Sequence, residues 1–110
     1  MLKIKGIEDL KGTRLGYWKV KEAGASPPMK WLPTEHYCIT LERGTFAAAI
    51  LIWRNINPLT GQYHVDVCYE DFTNKIYEGA FSKQIIMDKG HFLKHMMGYV
   101  KAEYEMRKQK

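Results

Sequence analysis

The chain has 110 residues, 45% of them hydrophobic and 13% aromatic, and seventeen Lys and Arg against twelve Asp and Glu give a formal charge of +5. That arithmetic describes one domain, residues 1–110, able to bury roughly 60–70% of its unfolded surface without metal or disulfide staples. The longest unbroken apolar run, Phe46–Trp53, falls far short of the ~20 residues a bilayer crossing needs, and residues 1–12 lack a signal peptide's apolar core, so the sequence argues against a membrane protein and predicts a cytoplasmic one.

Charge is uneven along the chain. Residues 1–35 hold seven basic and four acidic side chains, residues 36–85 four and five, and residues 86–110 six and three. A basic surplus favours polyanions, because each phosphate met by Lys or Arg releases counterions, and it equally serves to keep a small domain soluble. The two cysteines, Cys38 and Cys68, have no C-x-x-C spacing and read as free thiols.

In chain order, residues 1–12 are short and basic, with Leu2, Ile4, Ile7 and Leu10 as an apolar set sufficient for one strand and a turn of helix. Residues 14–22, with Tyr17, Trp18 and Val20, read as a strand closed by a loop from Gly24 to Pro28, where two prolines cannot donate ladder hydrogen bonds. Pro33 keeps Trp31 and Leu32 out of a helix. Residues 36–82 hold three strand-length segments and their continuation, separated by Arg43-Gly44, by residues 55–61 and by residues 71–75, which is the pattern of a β-meander. Residues 88–107 space Phe92, Leu93, Met96, Met97, Val100 and Tyr104 as the stripe of an amphipathic helix, with Asp88 as its N-cap. The predicted fold is α+β: an antiparallel meander of four to five strands with the C-terminal helix packed on one face.

Alternation assigns the faces. Tyr37, Ile39, Leu41, Tyr63, Val65 and Val67 point to the helix, and His36, Cys38, Thr40, Glu42, His64, Asp66, Cys68 and Glu70 point away. Residues 45–54 are apolar on both faces and form the central strand. A turn at Arg43-Gly44 pairs Glu42 with Thr45 and sets Ile39 against Ala48; a four-residue loop would keep the same parity. Placing Ile50 opposite Val65 then puts Asp66 beside Ala49 and Cys68 beside Ala47. In that register His36 and His64 flank Leu51, and Ala47 and Ala49 form a shallow trough between polar walls that also carry Thr40, Glu42, Asp66 and Glu70. On this assignment Val65→Asp unfolds the domain and Asp66→Val leaves it folded.

Three chemistries compete for the polar face. Zinc suits imidazole and thiolate, but ligands on strands either side of a central one stand about 9.6 Å apart, too far for bonds of ~2.0–2.3 Å to one ion. Thiol catalysis needs a base within ~3.2 Å, whereas Cys38 and His36 are separated by about 7 Å along their strand. A partner-facing surface remains, one that accepts a loop of another protein or a second copy of the chain. Tyr17, Trp18 and Trp31, interleaved with Lys19, Lys21 and Lys30, have the composition of a surface that stacks bases while lysines hold phosphates, and Lys94, Lys101 and Lys108 recur every seven residues along the helix. The same tryptophans also serve to close the end of a core, and the same lysines a solvated face. No dinucleotide fingerprint, phosphate loop, zincin motif or nucleophile elbow is present, so no cofactor, metal or enzymatic activity is expected.

As a whole the chain resembles the small orphan proteins that phages and mobile elements carry, many of them inhibitors of host defence enzymes, the anti-CRISPR class among them. The resemblance implies a stoichiometric inhibitor of a larger defence or nucleic-acid-processing enzyme. A small basic nucleic-acid-binding protein is the alternative. Salt dependence separates the two, since phosphate binding weakens steeply with salt and an interface with an apolar centre does not.

Overall fold

A computed structural model describes residues 6–26, 35–53, 56–70, 72 and 74–108. Among them six strands pair antiparallel in sequence order: β1 (Arg14–Leu15), β2 (Trp18–Ser26), β3 (His36–Arg43), β4 (Phe46–Trp53), β5 (Gln62–Tyr69) and β6 (Asn74–Ser82). A 3₁₀ turn at Glu8–Leu10 precedes them, and α1 (Lys83–Met87) and α2 (Lys89–Lys108) follow. The meander therefore has six strands, more than the four to five expected. Residues 14–22 are not one strand but a hairpin turning at Gly16-Tyr17, where Arg14 pairs with Lys19 and Gly16 supplies a φ of 64°. Two-residue hairpin turns need that left-handed backbone, which glycine adopts without a Cβ clash.

β2 also runs past Gly24. Val20 pairs with Leu41 and Glu22 with Thr40, so Lys21 is the extra residue of a bulge. The bulge resets the alternation, and Ala23 and Ala25 then share the face of Trp18 and Val20. A strand that changes parity midway looks like the start of a loop when read from sequence alone.

Register differs from expectation by two residues in each central ladder. Arg43 pairs with Phe46 and Glu42 with Ala47, so Ile39 faces Ile50. Ile50 in turn faces Val67, and Ile52 faces Val65. The turn is Gly44-Thr45, with Gly44 at φ 61° in the first central position, the place where a two-residue turn takes a glycine. A shift of two leaves every side chain on its face. Here the two shifts compensate: rows joining β3 to β5 keep their members while β4 slides beneath them.

The core lies between the sheet and α2. Phe92, Leu93, Met96, Met97 and Val100 form one buried cluster with Tyr37, Ile39, Leu41, Ile50, Ile52, Val65 and Val67, completed by Ile7, Leu10, Trp18, Val20, Ala48, Tyr63 and Ile86. Burying each large side chain contributes on the order of 1.5–3 kcal/mol before ordering entropy is subtracted. Ser82 Oγ accepts from the Ile85 amide, and Asp88 Oδ1 accepts from the His91 amide at 3.4 Å, so two side-chain caps start the two helices. Arg107 and Lys108 sit in the last turn of α2, where positive charge complements the helix dipole. Among the described residues no helix is long and apolar enough to cross a membrane.

Candidate functional site

The sheet face turned away from α2 is not the wet polar surface that alternation suggests. Ala49, Leu51 and Cys68 are buried in a second apolar cluster, with Cys38, Trp53 and Phe72 packed against it. His36 is 3% exposed and Asp66 2%. Two aromatics account for the difference. The shift of β4 puts Trp53, not Leu51, between the two histidines, its ring centroid 6.4 Å from His36 and 5.7 Å from His64. It also puts Leu51, not Ala49, between Cys38 and Asp66. Phe72 reaches the cluster from the turn after β5 on a backbone with φ 67°, a conformation rare for a residue with a Cβ. The expected alanine trough is thus half replaced by larger side chains, and Ala49 lies at the bottom rather than at the surface.

Asp66 is the polar centre of this face. Its Oδ2 accepts from Trp53 Nε1 at 3.3 Å, its Oδ1 lies 2.8 Å from His64 Nε2, and Lys75 Nζ stands 3.3 Å from Oδ2. Lys75 also reaches Glu78 at 3.2 Å. A bulge in β6 at Ile76, with Val67 opposite Tyr77 and Cys68 opposite Lys75, brings Lys75 and Glu78 onto the same side. Burial opposes the ammonium charge of Lys75, but the hydrogen bonds and charges of Glu78 and Asp66 outweigh it and hold its pKa above the ordinary value.

Both thiols of this face have raised pKa values. Burial, with Cys68 adding, pushes the Cys38 thiol up to about 11. Burial and Asp66 push Cys68 up to about 11 against the opposing pull of Lys75. A nucleophilic cysteine needs the reverse shift. His64, Asp66 and Glu78 bring ligand atoms within 4.8 Å of one another, a trio on neighbouring strands that the sequence reading, concerned with ligands across a central strand, did not include. The Lys75 ammonium already lies between the two carboxylates and supplies the cation there.

The remaining predicted residues divide. Thr40 is half-buried, its Oγ1 accepting from the Glu22 amide at 2.9 Å. Glu42 is half-buried between Lys19 and Ala47, and Ala47 is exposed. Glu70, expected across Thr45 from Glu42, lies across Ala47 instead, donating its amide to the Ala47 carbonyl at 2.8 Å, and its φ of 61° turns its side chain out of the strand's alternation to pair with Arg107 of α2. A depression of about 300 Å³ opens between β2 and β3, with Cys38, Leu51 and Phe72 among its lining and Glu22 to Ser26, His36 and Thr40 around it. Of the residues predicted to hold nucleic acid, Trp18 is 1% exposed and packs edge-on against Phe46 and Tyr104, so it closes the core and offers no stacking face. Lys19, Lys21, Lys94 and Lys101 are exposed. Lys30 and Trp31 lie outside the described residues. Trp53, Phe72, Lys75 and Glu78 were missed; the available signal was Phe72, an aromatic in an otherwise polar turn.

No family model, no curated protein and no solved structure matches the chain.

Proposed function

We propose that the chain is a non-catalytic binding protein, a stoichiometric inhibitor of a larger nucleic-acid-processing or defence enzyme, and that it engages its target with the sheet face opposite α2. The observation that carries this reading is the 300 Å³ depression, where Cys38, Leu51 and Phe72 give an apolar centre and Glu22, Ser26 and Thr40 a polar edge. An apolar centre inside a polar rim is the anatomy of a protein–protein contact. The raised thiols support a binding role over a chemical one. The class of target comes from the chain's likeness to phage-borne inhibitors.

Affinity capture from bacterial lysate tests the proposal, with Ala47→Arg and Thr40→Lys on this face and Lys94→Glu on the outer side of α2 as control. The expected outcome is a one-to-one complex that survives moderate salt and nuclease, is lost with either face variant and is kept with the control. Capture that the face variants retain, or that nuclease abolishes, would overturn it.

A further inference from the structure

Arg43 lies where the Gly44-Thr45 turn, the Gly16-Tyr17 turn and the last turns of α2 converge. Its guanidinium carbon is 4.4 Å from the ring centroid of Tyr104, 4.9 Å from that of Tyr17 and 5.9 Å from that of Trp18. A second ring-stacked arginine, Arg107, lies 4.7 Å from the Tyr69 ring and also pairs with Glu70. Arg43 differs: among the described residues no carboxylate or other acceptor reaches it. Its charge is held by aromatic rings alone, and rings leave the planar fork of N–H donors available to an oxyanion.

Three neighbours define what that oxyanion belongs to. Arg43 and Lys101 border one cavity of about 230 Å³ together with Tyr17, Trp18 and Tyr104, and Glu105 is the single acid on its rim. Lys101 is exposed and, like Arg43, has no acidic partner among the described residues. Trp18 walls the cavity and carries a buried indole N–H with no acceptor among the described residues. Tyr17 is 77% exposed, an open aromatic ring beside the guanidinium.

We infer that this cavity binds the phosphate of a nucleotide unit. Arg43 grips the phosphate oxygens through its forked donors, Lys101 adds the second positive charge, and the base lies outside the cavity on the open face of Tyr17. A stacking ring next to an unpaired guanidinium matches the two parts of a nucleotide, whereas an acidic peptide supplies carboxylates without the flat base. The site stands apart from the depression on the sheet face, so it is decided independently of the protein-binding reading.

Fluorescence anisotropy of the purified chain with a labelled single-stranded oligonucleotide, competed by unlabelled mononucleotide, inorganic phosphate and an oligoglutamate peptide of matched charge, tests it. Arg43→Lys, which keeps the charge and loses the fork, weakens binding by about tenfold. Tyr17→Ala weakens oligonucleotide binding without changing competition by inorganic phosphate, and Glu105→Gln tightens it. Removing Lys101 lowers the slope of log affinity against log salt by about 0.7. A mononucleotide that competes as well as the strand identifies a free nucleotide as the source; a strand that binds far tighter identifies single-stranded nucleic acid. Absence of binding, affinities that Arg43→Lys and Tyr17→Ala leave unchanged while circular dichroism shows both folded, or full displacement by oligoglutamate would each overturn the proposal.

Discussion

A carboxylate with 2% exposure is tolerated only where donors surround it, and Asp66 has the Trp53 indole, His64 and the Lys75 ammonium. Its neighbour Val65 points the other way, fully buried in the main core. Both substitutions at this pair are therefore destabilising, for different reasons. Val65→Asp places an unpaired charge among aliphatic side chains and should cost more than about 3 kcal/mol. Asp66→Val, harmless had the face been wet, leaves the donors around it without their acceptor and should cost about 1–3 kcal/mol. Asp66→Asn, which retains an acceptor for Trp53, should fall between the valine variant and the native chain. Urea denaturation measures all three, and an Asp66→Val midpoint equal to or above the native one would refute the buried-network account.

Edge strand β6 depends on a glycine that carries a ring. A Cβ built at Gly79 would collide with Tyr77 Oη and stand 2.7 Å from its Cζ, so the Tyr77 side chain lies along the strand over residue 79. From there its ring meets Tyr99 of α2 at 4.5 Å and Phe81 at 5.9 Å. Gly79→Ala should expel the ring and loosen β6 from α2, at about 1–3 kcal/mol, typical of overpacking. Loss of near-ultraviolet dichroism together with a lower urea midpoint is the expected result; an unchanged midpoint would mean that Tyr77 relocates without cost. At this scale the sequence was partly legible. Strict alternation of apolar Ile39, Val65 and Val67 with Cys38, Asp66 and Cys68 assigned the faces, and the Phe92-to-Tyr104 stripe located α2. Register was not legible, because a shift of two preserves every alternation and only the seat of Gly44 in its turn decides it. The reach of β2 was hidden by the bulge at Lys21. The Asp66 cluster was hidden by the bulge at Ile76, without which Lys75 and Glu78 do not share a side. Burial of the second face was not local information at all, since Trp53 and Phe72 converge on it from different strands and turns.

For the molecule as a whole, every pKa displacement resolved among the described residues runs in one direction. Burial raises Cys38, Cys68, Tyr63 and Tyr77, neighbouring groups add to it except for Lys75 beside Cys68, and the ion pairs of Lys75 raise its own value despite burial. At these five described groups the folded chain thus binds a proton more tightly than the unfolded chain does. Stability from these groups is whole below their ordinary pKa values, of which the thiols' 9.0 is the lowest, and is lost as pH rises through the folded values, about 11 for both cysteines. Net charge predicts a different course. From +5 at pH 7 the chain approaches neutrality near its isoelectric point of 9.2, so self-repulsion eases over the interval before the local groups begin to act. The urea midpoint should therefore hold or rise slightly up to about pH 9 and then fall steadily towards pH 11. Replacing both cysteines with alanine should delay the onset of the fall, because the ordinary pKa values of the tyrosines and Lys75, 10.0 and 10.5, lie above the thiols' 9.0. A midpoint that climbs through pH 11 would contradict the shared direction of the shifts. A fall that begins at the same pH with and without the thiols would assign it to the tyrosines and Lys75.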